Sequence, residues 1–269
     1  MFDSNNETIK NLIKFRPPLY NEKLPIILFW NQKSGCTSFT KWFFFQIGLL
    51  EKALEHNPFI HLYRAQVYCN SSIYLGEMET AILSSKKDIV KLVRNPYTRA
   101  VSSFLHILHF GTPNNSHNAK FFQEFTRIIK MNNFKGISFK QFLYALKKVG
   151  CDILSIDGHI AQQYIEGEEH LVKQYIYLED LEKHILYIED YYNLLTSPID
   201  LLVQSPHHKS SLIKNEDSLE KYSEKILSKD IISNSHLPSY EKFYDEETID
   251  LCTELFKQDL KFYKYKKFN

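Results

Sequence analysis

The sequence predicts an α/β fold in which a parallel β-sheet is flanked by helices, with a helix-rich C-terminal half. Short apolar runs at residues 24–30, 88–93 and 174–178 are typical of buried strands, and a helical segment follows each of them. Strands that alternate with helices favour a parallel sheet. The 269 residues are 43% hydrophobic, which is enough for one large core. We therefore expect an N-terminal extension over residues 1–23 and a single domain over residues 24–269.

The remaining elements are assigned in order along the chain. Residues 8–15 form a short helix that Pro17 and Pro18 stop. A helical segment follows the first strand as far as about residue 54, and residues 59–63 are interpreted as a short second strand. Polar loops are expected at 111–118 and within 204–240. Further helices are predicted at residues 78–85, 96–110, 121–131, 139–149, 179–193 and 245–262.

The loop between the first strand and its helix suits an anion. It carries Lys33, Gly35, Thr37 and Ser38 at the point where the helix begins. A helix N-terminus offers N–H donors and a partial positive charge, and a lysine adds a full charge. The arrangement is P-loop-like in its placement, but the lysine precedes the only glycine, unlike Gly-x4-Gly-Lys-Ser/Thr. The simpler alternative is a capped helix, with Thr37 or Ser38 as the cap.

A second polar segment follows the strand at residues 88–93. Arg94 stands at the end of that strand, Asn95 and Pro96 suit a helix start, and Ser102 lies about two turns into the helix. Ligands of open α/β sheets bind outside the carboxyl ends of the strands, so both segments are expected to face one ligand. Alternatively Arg94 and Arg99 are surface charges, which is more credible for Arg99.

Together the two segments resemble the sulfotransferases that use 3′-phosphoadenosine-5′-phosphosulfate (PAPS). In that family a Lys-x-Gly-x-Thr-Ser/Thr loop binds the 5′-phosphosulfate, and an Arg-x-Pro-x-x-Arg-x-x-Ser segment binds the 3′-phosphate. The amino-acid sequence of the second segment is most similar to that of the family-2 branch, which includes Golgi carbohydrate sulfotransferases and bacterial relatives. Gln32 replaces a proline of many members and Asn95 an aspartate, and neither change removes a ligand group. Looser likenesses lie at residues 157–162, 175–181, 207–211 and 246–265.

The resemblance implies a sulfuryl transfer from PAPS to an acceptor hydroxyl of a carbohydrate or glycolipid. Lys33 would stabilise the phosphate oxygen as its bond to sulfur breaks, and Arg94 and Ser102 would hold the 3′-phosphate. Lys209 would reach a phosphate from a late basic loop, for which a solvated loop is the alternative. The donor-binding residues expected from the motifs are Lys33, Ser34, Gly35, Cys36, Thr37, Ser38, Arg94, Ser102 and Lys209.

The acceptor hydroxyl must lose a proton, and a histidine is a suitable general base. His61 is the first candidate, because related enzymes take their base from the segment between the two motifs. His159 is the second candidate, on a stretch that resembles a histidine-containing stretch of the family. The chain has 11 histidines, so a structural or acceptor-binding role is the alternative for each.

Composition restricts the other classes of function. A net charge of +1 gives no positive electrostatic field that would attract nucleic acid, so a nucleic-acid-binding function is not expected. Four scattered cysteines form no Cys-x-x-Cys pair, which argues against structural zinc and favours reduced thiols in the cytoplasm. Apolar stretches fall far short of the ~20 residues of a spanning helix, and no signal peptide is recognised, so a bacterial-type soluble enzyme is expected.

We expect a small-molecule or glycan acceptor and no metal, since Lys33 and the helix dipole supply the positive charge. One alternative is a P-loop-type nucleotide kinase. Against it, this chain lacks the Gly-Lys-Ser/Thr order of such kinases, and Asp180 is its only candidate ligand for Mg²⁺. The other is a non-catalytic protein that binds a nucleotide to recognise a partner.

Overall fold

The computed structural model describes residues 2–15, 17–70, 72–110, 119–133, 135–153, 155–203, 221–234 and 237–268. The predicted loop at 111–118 and Lys209 lie outside these residues. The chain divides into two compact units. The first comprises Met1–Arg94 and Ile165–His207, and the second Asn95–Tyr164 and His208–Asn269.

Three strands and a larger number of helices make up the described chain. The strands are β1 (Ile26–Trp30), β2 (Asp88–Val93) and β3 (Val172–Tyr177). The α-helices are α1 (Phe2–Phe15), α2 (Cys36–Gln46), α3 (Leu50–His56), α4 (Ile60–Tyr63), α5 (Ser72–Leu83), α6 (Pro96–Phe110), α7 (Ala119–Met131), α8 (Phe139–Val149), α9 (Leu181–Tyr191), α10 (Ile199–Val203), α11 (Lys229–Asn234), α12 (Glu246–Leu255) and α13 (Lys257–Phe262). A π-helix spans Arg64–Tyr68, and short 3₁₀ helices span Glu168–His170, Leu178–Asp180 and Tyr240–Phe243.

The first unit contains a parallel sheet in the order β1-β2-β3. This confirms the predicted α/β fold with a parallel sheet. Every residue of β1 and every residue of β2 after Asp88 is buried, as expected for strands with both faces covered. Trp30 pairs with Leu92, and Val93 pairs with Tyr177. The three strands therefore end at nearly the same level, and the segments that follow them begin along one edge of the sheet.

The outer edge of β1 is covered by the chain that precedes it. Leu19 and Leu28 exchange two backbone hydrogen bonds of 3.0 Å in an antiparallel bridge. This pairing satisfies backbone groups that an open edge would leave available to another chain.

Helix α2 packs its aromatic side chains into the core of the first unit. Phe39, Trp42, Phe43 and Phe44 are at most 1% exposed. The Trp42 indole N–H donates to the buried carboxylate of Glu189 over 2.7 Å. This bond ties α2 to α9, and it gives a buried polar side chain the partner it requires.

The second unit is built from helices around an aromatic core. Many of its buried aromatic side chains come from α6, α8 and the segment before α12, among them Phe104, Phe139, Phe142, Phe243 and Tyr244. At the start of α6 the Asn95 side chain accepts the backbone N–H of Tyr97 (2.9 Å), so Asn95 caps this helix as predicted.

The predicted strand at residues 59–63 is wrong. Ile60 and Tyr63 are buried three residues apart and face the core from one turn of α4. A short apolar run is compatible with either a strand or a helix, and here the helical spacing of the buried residues decides. The helix predicted to run to residue 54 is broken at Gly48, whose φ is 69°. The helix predicted at 245–262 is broken at Phe256.

Candidate active site

The chain turns sharply as it leaves β1. The Ser34 N–H donates to the Asn31 carbonyl over 3.3 Å and closes a tight turn. Within it, Lys33 has φ 65°, a left-handed conformation that is uncommon for a residue with a side chain. Such a conformation is held by its surroundings and is more frequent at ligand sites than elsewhere.

Gly35 starts α2 and has no room for a side chain. Its φ is 83°, and a Cβ built on it would lie 2.4 Å from Leu178 Cδ1, in the segment after β3. Gly35 occupies the position before the helix, so the expectation that Thr37 or Ser38 caps α2 is wrong. Both residues lie in the first turn instead, because the left-handed glycine begins the helix earlier in the chain.

The N-terminus of α2 is suited to an anion. Among the described residues no side chain caps it by a hydrogen bond, and its first turn holds no acidic residue. The first N–H groups of a helix have no intrahelical acceptor and carry a partial positive charge. Cys36, Thr37 and Ser38 supply these groups, and Lys33 lies in the turn before them.

His61 lies against the same loop. Its Nε2 is 3.3 Å from the Thr37 hydroxyl and 3.4 Å from the Cys36 thiol. The Phe59 ring and the imidazole pack edge to face, with centroids 5.2 Å apart and planes at 71°. The structure therefore brings the first candidate base together with the predicted anion loop, from α4 rather than from the end of a strand.

Arg94 joins the two predicted segments. Its Nη1 donates to the Lys33 carbonyl over 2.9 Å. The guanidinium is half-buried at the end of β2. Two cationic side chains, Lys33 and Arg94, thus belong to adjacent segments at the carboxyl edge of the sheet.

Arg99 is a structural ligand of another segment, and the alternative that it is a surface charge is wrong. It is 1% exposed, in the second unit, on α6. Its Nη1 donates to the Ala161 carbonyl (2.5 Å) and its Nη2 to the Gly158 carbonyl (2.8 Å). These charge-assisted bonds compensate for burying the guanidinium, and they fix the backbone on both sides of His159.

His159 is paired with a carboxylate that the sequence analysis did not assign. Its Nδ1 lies 2.6 Å from Asp157 Oδ1, and the same oxygen accepts the His159 backbone N–H over 2.8 Å. The imidazole stacks on that of His106, with centroids 4.4 Å apart and planes at 9°. The Asp-x-His spacing was the available signal for Asp157, whereas nothing local pointed to His106.

The far end of this segment is held by Asp259, which was also missed. The carboxylate is fully buried and accepts the backbone N–H groups of Gln163 (2.9 Å) and Tyr164 (2.7 Å). The Tyr164 ring stacks on Phe262, with centroids 3.9 Å apart. Ser102, the predicted 3′-phosphate ligand, lies half-buried in the same unit on α6, one turn before His106.

The model of the Sulfotransferase family matches residues 19–266. The chain belongs to the sulfotransferase family, in its family-2 branch. Comparison with curated proteins and comparison with solved structures gave no match. The family match spans both predicted anion-binding segments, the Asp157–His159 pair and Asp259, and the family transfers sulfuryl groups, so the chain is assigned as a transferase.

The thiols of the sulfotransferase differ in their surroundings. All four cysteines are free. Burial raises the pKa of Cys69, and it raises the pKa of Cys151 and that of Cys252 to about 12. Cys36, in contact with His61, is the thiol of the anion loop.

Two features are absent from the described part of the sulfotransferase. Its His, Cys, Asp and Glu side chains form no group of three or more that is arranged for a metal ion. None of its described helices combines the length and the apolarity needed to cross a bilayer.

Proposed function

We propose that this sulfotransferase uses PAPS as donor and transfers the sulfuryl group to a hydroxyl of a carbohydrate or glycolipid. The observation that carries the proposal is the hydrogen bond from Arg94 to the Lys33 carbonyl, which joins the two cationic segments. A donor with phosphate groups at both its 5′ and 3′ positions suits two such segments. A helix N-terminus without a carboxylate in its first turn adds to the case for an anion here.

In this proposal the donor is held mainly by charge and by backbone donors. Sulfuryl transfer resembles phosphoryl transfer, in which positioning and charge stabilisation supply most of the catalysis. Lys33 stabilises the phosphate oxygen released from sulfur, while Ser34 to Ser38 hold the 5′-phosphate. Arg94 and Ser102 bind the 3′-phosphate, and Lys209, outside the described residues, contributes a further cation. Either His61 or His159 takes the acceptor proton.

Calorimetry with the desulfated product tests the donor. We expect adenosine 3′,5′-bisphosphate to bind far more tightly than AMP or ADP, without Mg²⁺. The Arg94→Ala variant should lose about 1.5–3 kcal/mol of binding, the usual scale for a hydrogen bond to a charged group. Arg127→Ala is the matched control, since Arg127 is exposed on α7 and pairs with Glu124. Equal affinity for AMP and the bisphosphate contradicts the role of Arg94.

Turnover tests the reaction and the acceptor. Wild-type enzyme with sulfur-labelled PAPS and a panel of mono- and oligosaccharides and glycolipids should yield labelled sugar ester together with the bisphosphate. Transfer to phenols or amines but to no sugar contradicts the proposed acceptor class while leaving the donor intact.

A further inference from the structure

We propose that Arg94 is a positioning residue for the Lys33 loop, residues 31–38. In addition to its proposed contact with the 3′-phosphate, it holds the backbone of Lys33 and so places the lysine ammonium for the leaving phosphate oxygen. This inference rests on the proposed function and deepens it, because it gives one arginine an effect on both ends of the donor. It is carried by contacts within the first unit alone.

The turn that contains Lys33 has a strained backbone and a long closing bond. Lys33 has φ 65°, a left-handed conformation in which the Cβ of an L-residue crowds the backbone. The bond from the Ser34 N–H to the Asn31 carbonyl is 3.3 Å long, beyond the usual range of about 2.7–3.2 Å. A conformation of this kind persists where neighbouring groups hold it.

Arg94 holds this turn from the neighbouring strand. Its Nη1 donates to the Lys33 carbonyl over 2.9 Å, and because the donor is charged the bond is stronger than one between neutral groups. The guanidinium is half-buried, so water competes less for the carbonyl than it would at the surface. The contact joins two segments of the protein and therefore needs no ligand to form.

The strand that carries Arg94 is a rigid support. β2 is the central strand of the sheet, and its residues from Ile89 to Val93 are buried. Trp30, the last residue of β1, pairs with Leu92, so the two chains leave the sheet side by side. A group that a strand holds is placed more precisely than one that a loop holds, so β2 is well suited to fix the turn.

The carbonyl that Arg94 holds belongs to the residue whose ammonium is needed. Fixing this carbonyl orients the peptide plane after Lys33 and restricts the direction in which the side chain leaves the backbone. The lysine stem is long and flexible, so its starting direction limits where the ammonium can reach. Two residues later, Gly35 packs so closely against Leu178 that a Cβ on it would overlap Leu178 Cδ1. The loop is thus held from the segments that follow both β2 and β3.

The positioning role is compatible with the proposed contact between Arg94 and the 3′-phosphate. A guanidinium carries five N–H groups, so the bond from Nη1 to the Lys33 carbonyl does not by itself prevent a phosphate contact. The positioning role makes a further claim. Removal of Arg94 should also weaken binding at the 5′ end of the donor, where the proposed function gives Arg94 no contact.

Amide hydrogen exchange in protein without nucleotide tests the positioning role directly. Mass spectrometry compares the peptide that covers residues 31–38 in wild type and in Arg94→Ala. Loss of a charged hydrogen bond should speed exchange in this peptide by about 10-fold and leave the peptide that covers α8, in the second unit, unchanged. Arg94→Lys keeps a charged donor and should recover part of the protection. Arg127→Ala, the exposed control on α7, should exchange like wild type.

Two results of the exchange experiment overturn the inference. One is unchanged exchange at residues 31–38 in Arg94→Ala. The other is equal acceleration at residues 31–38 and in α8, because the arginine would then stabilise the whole fold and not the loop.

Truncated nucleotides separate the two roles of Arg94 by calorimetry. If the arginine contacted only the 3′-phosphate, Arg94→Ala would weaken adenosine 3′,5′-bisphosphate and leave AMP, which has only the 5′-phosphate, unchanged. We expect AMP to lose affinity as well, by about 3–10-fold, because its phosphate depends on the loop. Competition against the bisphosphate measures the weaker AMP binding. An AMP affinity equal to that of wild type overturns the inference.

Turnover gives a third readout. A residue that only binds the donor acts on KM, and saturating PAPS then restores kcat. At saturating PAPS, Arg94→Ala should keep a kcat about 10–10²-fold below that of wild type, since displacing a catalytic group by about 1 Å can cost about 10²-fold. Arg94→Lys should regain part of this loss. A wild-type kcat in Arg94→Ala at saturating PAPS overturns the placement of Lys33 by Arg94.

The outcomes distinguish failure of the inference from failure of the proposed function. If wild type neither binds the bisphosphate nor transfers sulfate from PAPS, the proposed function is wrong, and the exchange measurement still decides whether Arg94 holds the loop. If wild type does both, and Arg94→Ala changes neither the exchange at residues 31–38 nor the AMP affinity, only the positioning role of Arg94 is wrong.

Discussion

At the scale of single residues, a buried ion pair stands out in the middle of the sheet. Lys91 lies on the central strand β2, and its ammonium contacts Glu168 over 2.5 Å. Both side chains are at most 2% exposed. Glu168 also accepts the backbone N–H of Ile165 over 3.0 Å, so the carboxylate has more than one donor. The sequence shows Lys91 as a polar interruption of an apolar strand, but not its partner 77 residues away.

Breaking this pair from one side should destabilise the protein strongly. Lys91→Met leaves Glu168 as an uncompensated buried charge, and we expect a loss of about 3–5 kcal/mol of unfolding free energy in urea titrations. The double variant Lys91→Met/Glu168→Gln should recover most of that loss. Lys173→Met is the matched control, because the Lys173–Asp88 pair joins neighbouring strands at the surface and should contribute less than about 1 kcal/mol. Equal losses for the buried and exposed lysines contradict the expectation.

Alkylation of the cysteine thiols tests whether a nucleotide binds at the loop that contains Cys36. Burial raises the pKa of Cys69, Cys151 and Cys252, so their reactive thiolates are scarce at neutral pH. We expect iodoacetamide to label Cys36 first in the native enzyme, and adenosine 3′,5′-bisphosphate to slow this labelling. Peptide mass spectrometry after timed quenching measures both effects. Labelling of Cys36 that the bisphosphate leaves unchanged argues against binding at the loop.

At the scale of elements, the sequence predicted best where the signal is local. The strands β1, β2 and β3 and the helices α6, α7 and α8 follow from apolar periodicity and from start signals such as Asn95. Prediction from the sequence failed where the same residues were compatible with more than one local backbone conformation. The run 59–63 became a helix because its apolar residues meet the core at helical spacing. The cap of α2 moved to Gly35 because the backbone there is left-handed.

Helix α12 offers a test of a cap that was not singled out from the sequence. The Asp245 side chain accepts the N–H of Thr248 over 2.8 Å, and the Thr248 hydroxyl completes a capping box. Asp245→Ala should cost about 0.5–2 kcal/mol of unfolding free energy at pH 7. Asp245→Asn should cost less, because asparagine is also a good cap.

The same cap should titrate in acid. Burial acts to raise the pKa of Asp245, but hydrogen bonds from Thr248, Ser223 and Lys140 outweigh it and lower the pKa to about 2. A carboxyl group whose pKa is lowered on folding stabilises the protein above its ordinary value near 4 and loses that contribution as the pH falls towards 2. The difference in unfolding free energy between wild type and Asp245→Ala should therefore shrink below pH 4. Denaturant titrations from pH 7 to pH 3 measure it, and a constant difference contradicts the role of the ionised cap.

At the scale of the whole molecule, binding of the donor nucleotide should increase the free energy of unfolding. A ligand at about 100 times its Kd that binds only the folded state adds about 2.7 kcal/mol. For a chain of this size that corresponds to a Tm increase of roughly 5–10 °C. We expect this increase with adenosine 3′,5′-bisphosphate in a thermal scan, and its loss in Arg94→Ala at the same concentration. An equal increase with ADP contradicts recognition of the 3′-phosphate.

Much of the candidate site was open to sequence analysis, since Lys33 to Ser38 and Arg94 belong to two short local motifs. Asp157 and His159 are also close in sequence. The supports of that pair were out of reach, because Arg99 bonds to a carbonyl 59 residues away and Asp259 to an amide 96 residues away. Such contacts depend on how helices pack, and the spacing of residues along the chain does not predict them.

The bond from Asp259 to Gln163 and Tyr164 has a consequence for biosynthesis. The ribosome makes His159 about a hundred residues before it makes the carboxylate that anchors the segment after it. The first unit, by contrast, has all its described residues once Val203 has left the exit tunnel. The sheet and the Lys33 loop therefore have all their described residues before α13, the last described helix, supplies the anchor of the His159 segment. A chain truncated before residue 259 therefore lacks the carboxylate that holds the backbone N–H groups of Gln163 and Tyr164.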